Sequence, residues 1–323
     1  MKKITKAAIG AAAVCGTAFV ASGEAMYRRF LKGKAVRESS LLHENSWLSQ
    51  MLEENPIMAQ GAQWIKTAER RDRTILGRRN KWIHAEEYPG GRDSHIWVIA
   101  CHGYSADVES NAAMIRIFHE QGWNVLAPHL TGHGISEDKS TSMGWLDRID
   151  LCDWIRRICK KDPQAQIVLY GVSMGASTVM MTTGEPLPQQ VKCCVADCGY
   201  TSVYDEFKTQ LKQWLKLPAF PFLYAGDLVT RLHAGYSFKQ ASAVKQLKRS
   251  QTPTLFLHGE ADTFVPFAMQ EVCYHACACE EKEMVSFPGA GHVESGLVAP
   301  EEYERVVLGF IRRFITENAE TTA

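Results

Sequence analysis

A short apolar run, 167–170, leads into Gly171-Val172-Ser173-Met174-Gly175 and then into 176–181, a stretch able to begin a helix. No other part of the chain constrains its fold so tightly. A strand that turns sharply into a helix around a serine forces that residue into a strained backbone conformation. Only glycine-sized neighbours two positions either side leave room for the turn. The hydroxyl then projects from the top of a sheet, and the helix N-terminus behind it favours developing negative charge.

The rest of the chain supplies the sheet. Apolar strand signals lie at 81–85, 95–100, 123–127, 167–170, 191–197, 254–258 and 283–287, with helix signals at 111–121, 144–160, 176–183, 267–280 and 301–318 between them. Short apolar strands alternating with helices predict an α/β protein, a doubly wound and mainly parallel sheet covered on both faces. At 323 residues and 46% hydrophobic, the chain has apolar mass for one large domain. A formal net charge of zero points away from nucleic acid as a partner.

The N-terminus differs in kind. Lys2, Lys3 and Lys6 precede an uncharged run over 7–23, and Arg28, Arg29, Lys32, Lys34 and Arg37 follow it. A basic start, an apolar run and a basic flank predict an uncleaved signal-anchor helix over 1–26, with secretion after cleavage near residues 21–23 as the alternative. This places the protein at a membrane as a single-pass, N-terminally anchored chain. The side on which the rest lies stays open, because both flanks are basic. The mixed polar and apolar stretch 27–75 reads as a helical neck. The ten cysteines are too sparse for a disulfide scaffold and read as free core thiols.

Between the strand signals ending at 197 and beginning at 254 the alternation stops. Tyr204, Phe207, Leu211, Trp214 and Leu215 fall on one helical face, and the proline-bent apolar stretch 217–224 follows. An amphipathic insertion over about 199–253, at the carboxyl edge of a parallel sheet, sits where ligands bind in such folds. It reads as a cap offering an apolar acyl pocket.

A serine hydroxyl is a weak nucleophile and needs a base, which needs an orienting group. Asp262, in the loop after 254–258, and His292, in the loop after 284–287, come in the order that a serine on a strand–helix turn requires. Two backbone donors must face the developing alkoxide. Met174, directly after the serine, offers one N–H. Tyr104, after Gly103 at the end of 96–101, offers the other. His102 reads as a brace for that loop. Cys273, His275, Cys277 and Cys279 suggest zinc, but helical spacing puts Cys273 and Cys277 on one face and His275 and Cys279 on another, so no metal is expected. No glycine-rich stretch is followed by a phosphate-binding lysine, and no cofactor is expected.

The segments 101–104 (CHGY), 129–138 (HLTGHGISED), 171–175 (GVSMG), 196–203 (ADCGYTSV), 258–266 (HGEADTFVP) and 289–292 (GAGH) together resemble the α/β-hydrolase superfamily. The resemblance is to its bacterial branch related to lipase-like and serine-aminopeptidase-like hydrolases, and it spans about 75–316. It implies an α/β-hydrolase domain over 76–323, with Ser173 as nucleophile, His292 as general base and then acid, and Asp262 as its orienter. Tyr104 and Met174 become the oxyanion donors. Some relatives take the acid from the position of Asp197, which is the runner-up. Where relatives often carry Arg-Gly-His-Gly, this chain has Thr131-Gly132-His133-Gly134. The expected activity is cleavage of a small-molecule ester through an acyl-enzyme on Ser173. The alternatives are amide hydrolysis on small peptides and a non-catalytic binding module of the same fold.

Overall fold

The structure, a computed structural model, describes residues 2–33 and 55–317, and of 2–13 the backbone alone. The chain begins with α1 (Lys2–Phe30) and α2 (Pro56–Trp64). Strands β1 (Arg71–Leu76), β2 (Trp82–Tyr88) and β3 (Ile96–Cys101) lead to α3 (Ala112–Glu120), β4 (Asn124–Pro128) and α4 (Asp147–Lys161). Next come β5 (Gln166–Val172), α5 (Met174–Thr183) and β6 (Val191–Asp197). The cap contributes α6 (Val203–Gln213), α7 (Ala219–Ala234) and α8 (Ala243–Leu247). The chain returns through β7 (Thr254–Gly259), α9 (Ala268–Ala276) and β8 (Lys282–Phe287) to α10 (Ser295–Val298) and α11 (Pro300–Arg312).

The strands form one sheet in the order β1-β2-β4-β3-β5-β6-β7-β8. The pairs β1–β2 and β2–β4 are antiparallel, and the others are parallel. The central strands are apolar because they are buried on both sides: every residue of β3, β4 and β7 is buried. Trp154 of α4 and Met180 of α5 belong to the core on one face of the sheet, with residues of α6 and α7. Phe118 of α3 and Tyr303 of α11 belong to the core on the other. Helices on both faces and a parallel centre are the expected doubly wound architecture.

The structure bears on two N-terminal expectations. Part of the neck, 34–54, lies outside the described residues, but its end is β1 rather than helix. In β1 Arg73 meets Glu87 of β2 through two nitrogens, 2.8 and 3.0 Å from the carboxylate oxygens. The run expected to cross a membrane lies within α1, and among the described residues no helix is long and apolar enough to cross one. The second half of α1 instead packs on the cap. A Cβ on Gly23 would overlap the backbone of Ala225, and Met26, Tyr27 and Leu31 are buried in the protein core. Gly23 lets the two helices touch at their backbones. The spanning role expected over 1–26 is therefore without support among the described residues.

Candidate active site

Ser173 sits between the last residue of β5 and the first of α5, at φ 56° and ψ −115°. A non-glycine residue held there stores roughly 1–3 kcal/mol of backbone strain. The surrounding glycines make the turn possible. A Cβ on Gly171 would overlap the backbone of Gly175, and one on Gly175 would overlap the carbonyl of Cys101 at the end of β3. The Ser173 N–H donates to the Asp197 carbonyl at 2.8 Å, and its own carbonyl accepts from Ser177 N at 3.0 Å. The strained residue is thus held from both sides.

Because β7 and β8 are parallel neighbours, the loops that follow them open at the same sheet edge as Ser173. His292 Nε2 lies 2.9 Å from Ser173 Oγ, and His292 Nδ1 lies 2.7 Å from Asp262 Oδ2. Asp262 Oδ1 accepts from the N–H groups of Phe264 and Val265, both at 2.9 Å. The Phe264 ring lies against His292, with centroids 4.9 Å apart. Burial pushes the Asp262 carboxyl upward, but hydrogen bonds from His258 and His292 and their charges hold it below the ordinary value. The carboxylate therefore stays ionised beside the imidazole. All three residues named from the sequence are joined in one hydrogen-bonded row.

The two candidate oxyanion donors flank the serine. Met174 opens α5, so its N–H has no carbonyl one turn back within the helix. Gly103, directly before Tyr104, stands so close that a Cβ there would lie 3.6 Å from Ser173 Cβ. His102 does brace this loop: its Nδ1 lies 2.8 Å from the Gly103 carbonyl, and its Nε2 accepts from Leu130 N at 3.2 Å. Burial lowers its pKa to about 4, so the ring is neutral. In the 131–134 loop, buried Asp147 accepts from Thr131 N at 2.6 Å, Thr131 Oγ1 at 3.0 Å, Ser142 Oγ at 2.5 Å and Gly144 N at 3.1 Å. A carboxylate with four neutral donors organises the loop where relatives often carry an arginine.

Asp197, the runner-up acid, is buried and turned elsewhere. Its Oδ2 accepts from Tyr303 OH at 2.8 Å, and Tyr303 OH lies 3.0 Å from Tyr170 OH. Burial pushes its pKa up. The cysteine-rich segment is not one helical face, since α9 ends at Ala276, and Cys273, Cys277 and Cys279 are core residues. Among the described residues, the trio of possible metal ligands that does converge is Cys198, Asp262 and His292, with ligand atoms within 4.8 Å of one another. Two of its members are already bonded to each other in the row above.

Residues 96–234 match the family described as the alpha/beta hydrolase fold. The Pyrococcus furiosus esterase Pf2001 superposes with a TM-score of 0.64 at 24% identity, covering 77% of this chain and 93% of that one. The chain has the α/β-hydrolase fold. A second solved structure, the acylaminoacyl peptidase of Pyrococcus horikoshii, matches this chain with a TM-score of 0.57 at 16% identity over 81% of the chain and 45% of the peptidase. At such identities these likenesses speak for the fold. Among curated relatives, the uncharacterized protein YqkD of Bacillus subtilis (strain 168) is 28% identical over 183 residues, 56% of this chain and 60% of YqkD. The uncharacterized protein YfhR of Escherichia coli O157:H7 is 22% identical over 199 residues, 61% of this chain and 63% of YfhR. The chain thus spans about three fifths of the length of these relatives.

Three features around this site carry little signal in the sequence. His258 Nε2 lies 3.1 Å from Asp262 Oδ2, the oxygen that also meets His292. Its only sequence signal is its place at the end of a strand, four residues before the acid. Tyr104 OH donates to the Phe30 carbonyl at 2.8 Å, tying the last residue of α1 to the oxyanion loop. Glu206, on α6, is buried with no partner for Oε2 among the described residues, while Gln210 Nε2 donates to its Oε1 and to the Phe264 carbonyl at 2.7 Å each.

Proposed function

We propose that this protein is a serine hydrolase that cleaves carboxylic esters through an acyl-enzyme on Ser173. The observation that carries the reading is the continuous row Ser173 Oγ–His292–Asp262, with the serine on a strained strand–helix turn. His292 takes the hydroxyl proton as Oγ attacks the acyl carbon, then gives it to the leaving alkoxide. Asp262 keeps the Nδ1–H of His292 pointed at itself and balances the imidazolium that forms. The Tyr104 and Met174 amides receive the oxyanion. Water activated by the same imidazole then releases the acid.

Esters are favoured over N-terminal peptide bonds by the state of the cap carboxylates. Holding a substrate ammonium needs a free anion, and the three candidates are occupied or neutral. Asp205 accepts from Thr201 Oγ1 at 2.8 Å and Ser202 Oγ at 2.6 Å. Asp227 pairs with Arg231 at 2.8 Å and accepts from Phe238 N at 2.6 Å. Burial raises the Glu206 pKa to about 8, so it is largely protonated at neutral pH.

A fluorophosphonate probe should label the wild-type chain and leave Ser173→Ala unlabelled, with p-nitrophenyl ester turnover falling by about 10³-fold or more in the variant. Equal labelling of the two would refute the reading. Turnover of aminoacyl-p-nitroanilides without turnover of esters of any acyl length would move the assignment to amides.

A further inference from the structure

Asp262 Oδ2 receives two imidazole nitrogens, His292 Nδ1 at 2.7 Å and His258 Nε2 at 3.1 Å. His258 Nε2 also lies 2.9 Å from the Val265 carbonyl, which can only accept. The proton of His258 therefore sits on Nε2 and is shared between a carboxylate and a carbonyl. Its Nδ1 is buried with no hydrogen-bond partner among the described residues. A ring that leaves one nitrogen unsatisfied in the interior is an expensive way to fill space.

We propose that His258 is a positioning residue for the acyl transfer: its Nε2–H fixes Asp262 Oδ2 toward His292 and takes up part of the carboxylate charge. The inference rests on the serine-hydrolase reading above. With the Phe264 and Val265 amides on Oδ1, the carboxylate has four donors, two on each oxygen. It cannot rotate without giving up at least one of them. Sharing the charge of Oδ2 also limits how strongly Asp262 stabilises a protonated His292. The titratable groups packed around this pair are Asp197 and Cys198 at the end of β6 and Glu206 on α6. Burial raises the pKa of all three, whereas Asp262, with its donors, is held below its ordinary value.

The test compares His258→Leu, His258→Asn and His258→Gln in the full chain. Leucine removes the N–H, and asparagine is too short to bring its amide to the place of Nε2. Glutamine can put an amide N–H there. In the leucine and asparagine variants kcat should fall about ten- to a hundredfold with KM within about twofold. The acidic limb of kcat/KM should move up by about one pH unit. An NMR titration of the His292 ring should move by the same amount, and glutamine should return both readouts toward wild type. The ring titration does not depend on turnover. If wild type fails to turn over esters or to take the probe, the hydrolase reading fails while the ring still reports on His258. An unmoved His292 titration in variants that lose only thermal stability would overturn the proposal. So would a leucine variant that titrates as the glutamine variant does.

Discussion

Burial acts on Asp262 and Glu206 alike, yet the outcomes are opposite, because only Asp262 has donors on both oxygens. Its folded-state pKa lies below the unfolded value, so its contribution to stability is present above that value and is lost as pH falls through the folded one. Asp262→Asn should remove part of the loss of stability below about pH 4, read from urea midpoints between pH 5 and 3. Glu206 works the other way. With its pKa raised from 4.5 to about 8, the unfolded chain releases a proton that the folded chain keeps, so stability falls as pH rises between those values. Glu206→Gln should match wild type near pH 4 and exceed it by roughly 2–4 kcal/mol at pH 8, in urea unfolding at the two pH values. No gain at pH 8 would show that the orphan oxygen costs the fold nothing. At this scale the sequence exposed Ser173, Asp262 and His292, because each ends a strand in a loop pattern visible locally. It hid His258, which closes an apolar strand and reaches Asp262 only through the turn that the loop makes.

Helix α1 shows what hydropathy leaves open at the level of elements. An apolar run can be buried against lipid or against protein, and the difference lies in which residues allow close approach. Gly23 does so, since a Cβ there would overlap Ala225, whereas a Cβ on Gly16 would meet nothing within 4 Å. Gly23→Leu should therefore part α1 from α7. Proteolysis between α1 and the cap should quicken, and activity should fall through the lost Tyr104–Phe30 bond. Gly16→Leu should leave both unchanged, and equal effects of the two would refute this packing. The strand β1 was missed for a related reason. Its residues Arg71, Asp72 and Arg73 lie at an exposed sheet edge, where charge replaces apolar alternation as the outward signal. The central strands, apolar on both faces, were legible to within a few residues.

For the molecule as a whole, the ten cysteines test how tightly the core is closed. All are free: of the nine outside α1, eight are buried and Cys159 is half-buried, while Cys15 is exposed. Burial raises the pKa of every described thiol beyond α1. The native protein should react rapidly with Ellman's reagent at about one thiol, and at all ten once unfolded. Fast modification of several thiols would mean that the two layers open readily. The contact between α1 and α7 also has a history in time. The first helix leaves the ribosome long before its resting place exists: at about 5–20 residues per second, the roughly 200 residues up to α7 take some 10–40 s to emerge. Until then Met26, Tyr27 and Leu31 have no groove to enter, and the nascent chain must carry that sticky face unprotected or in the hands of a chaperone.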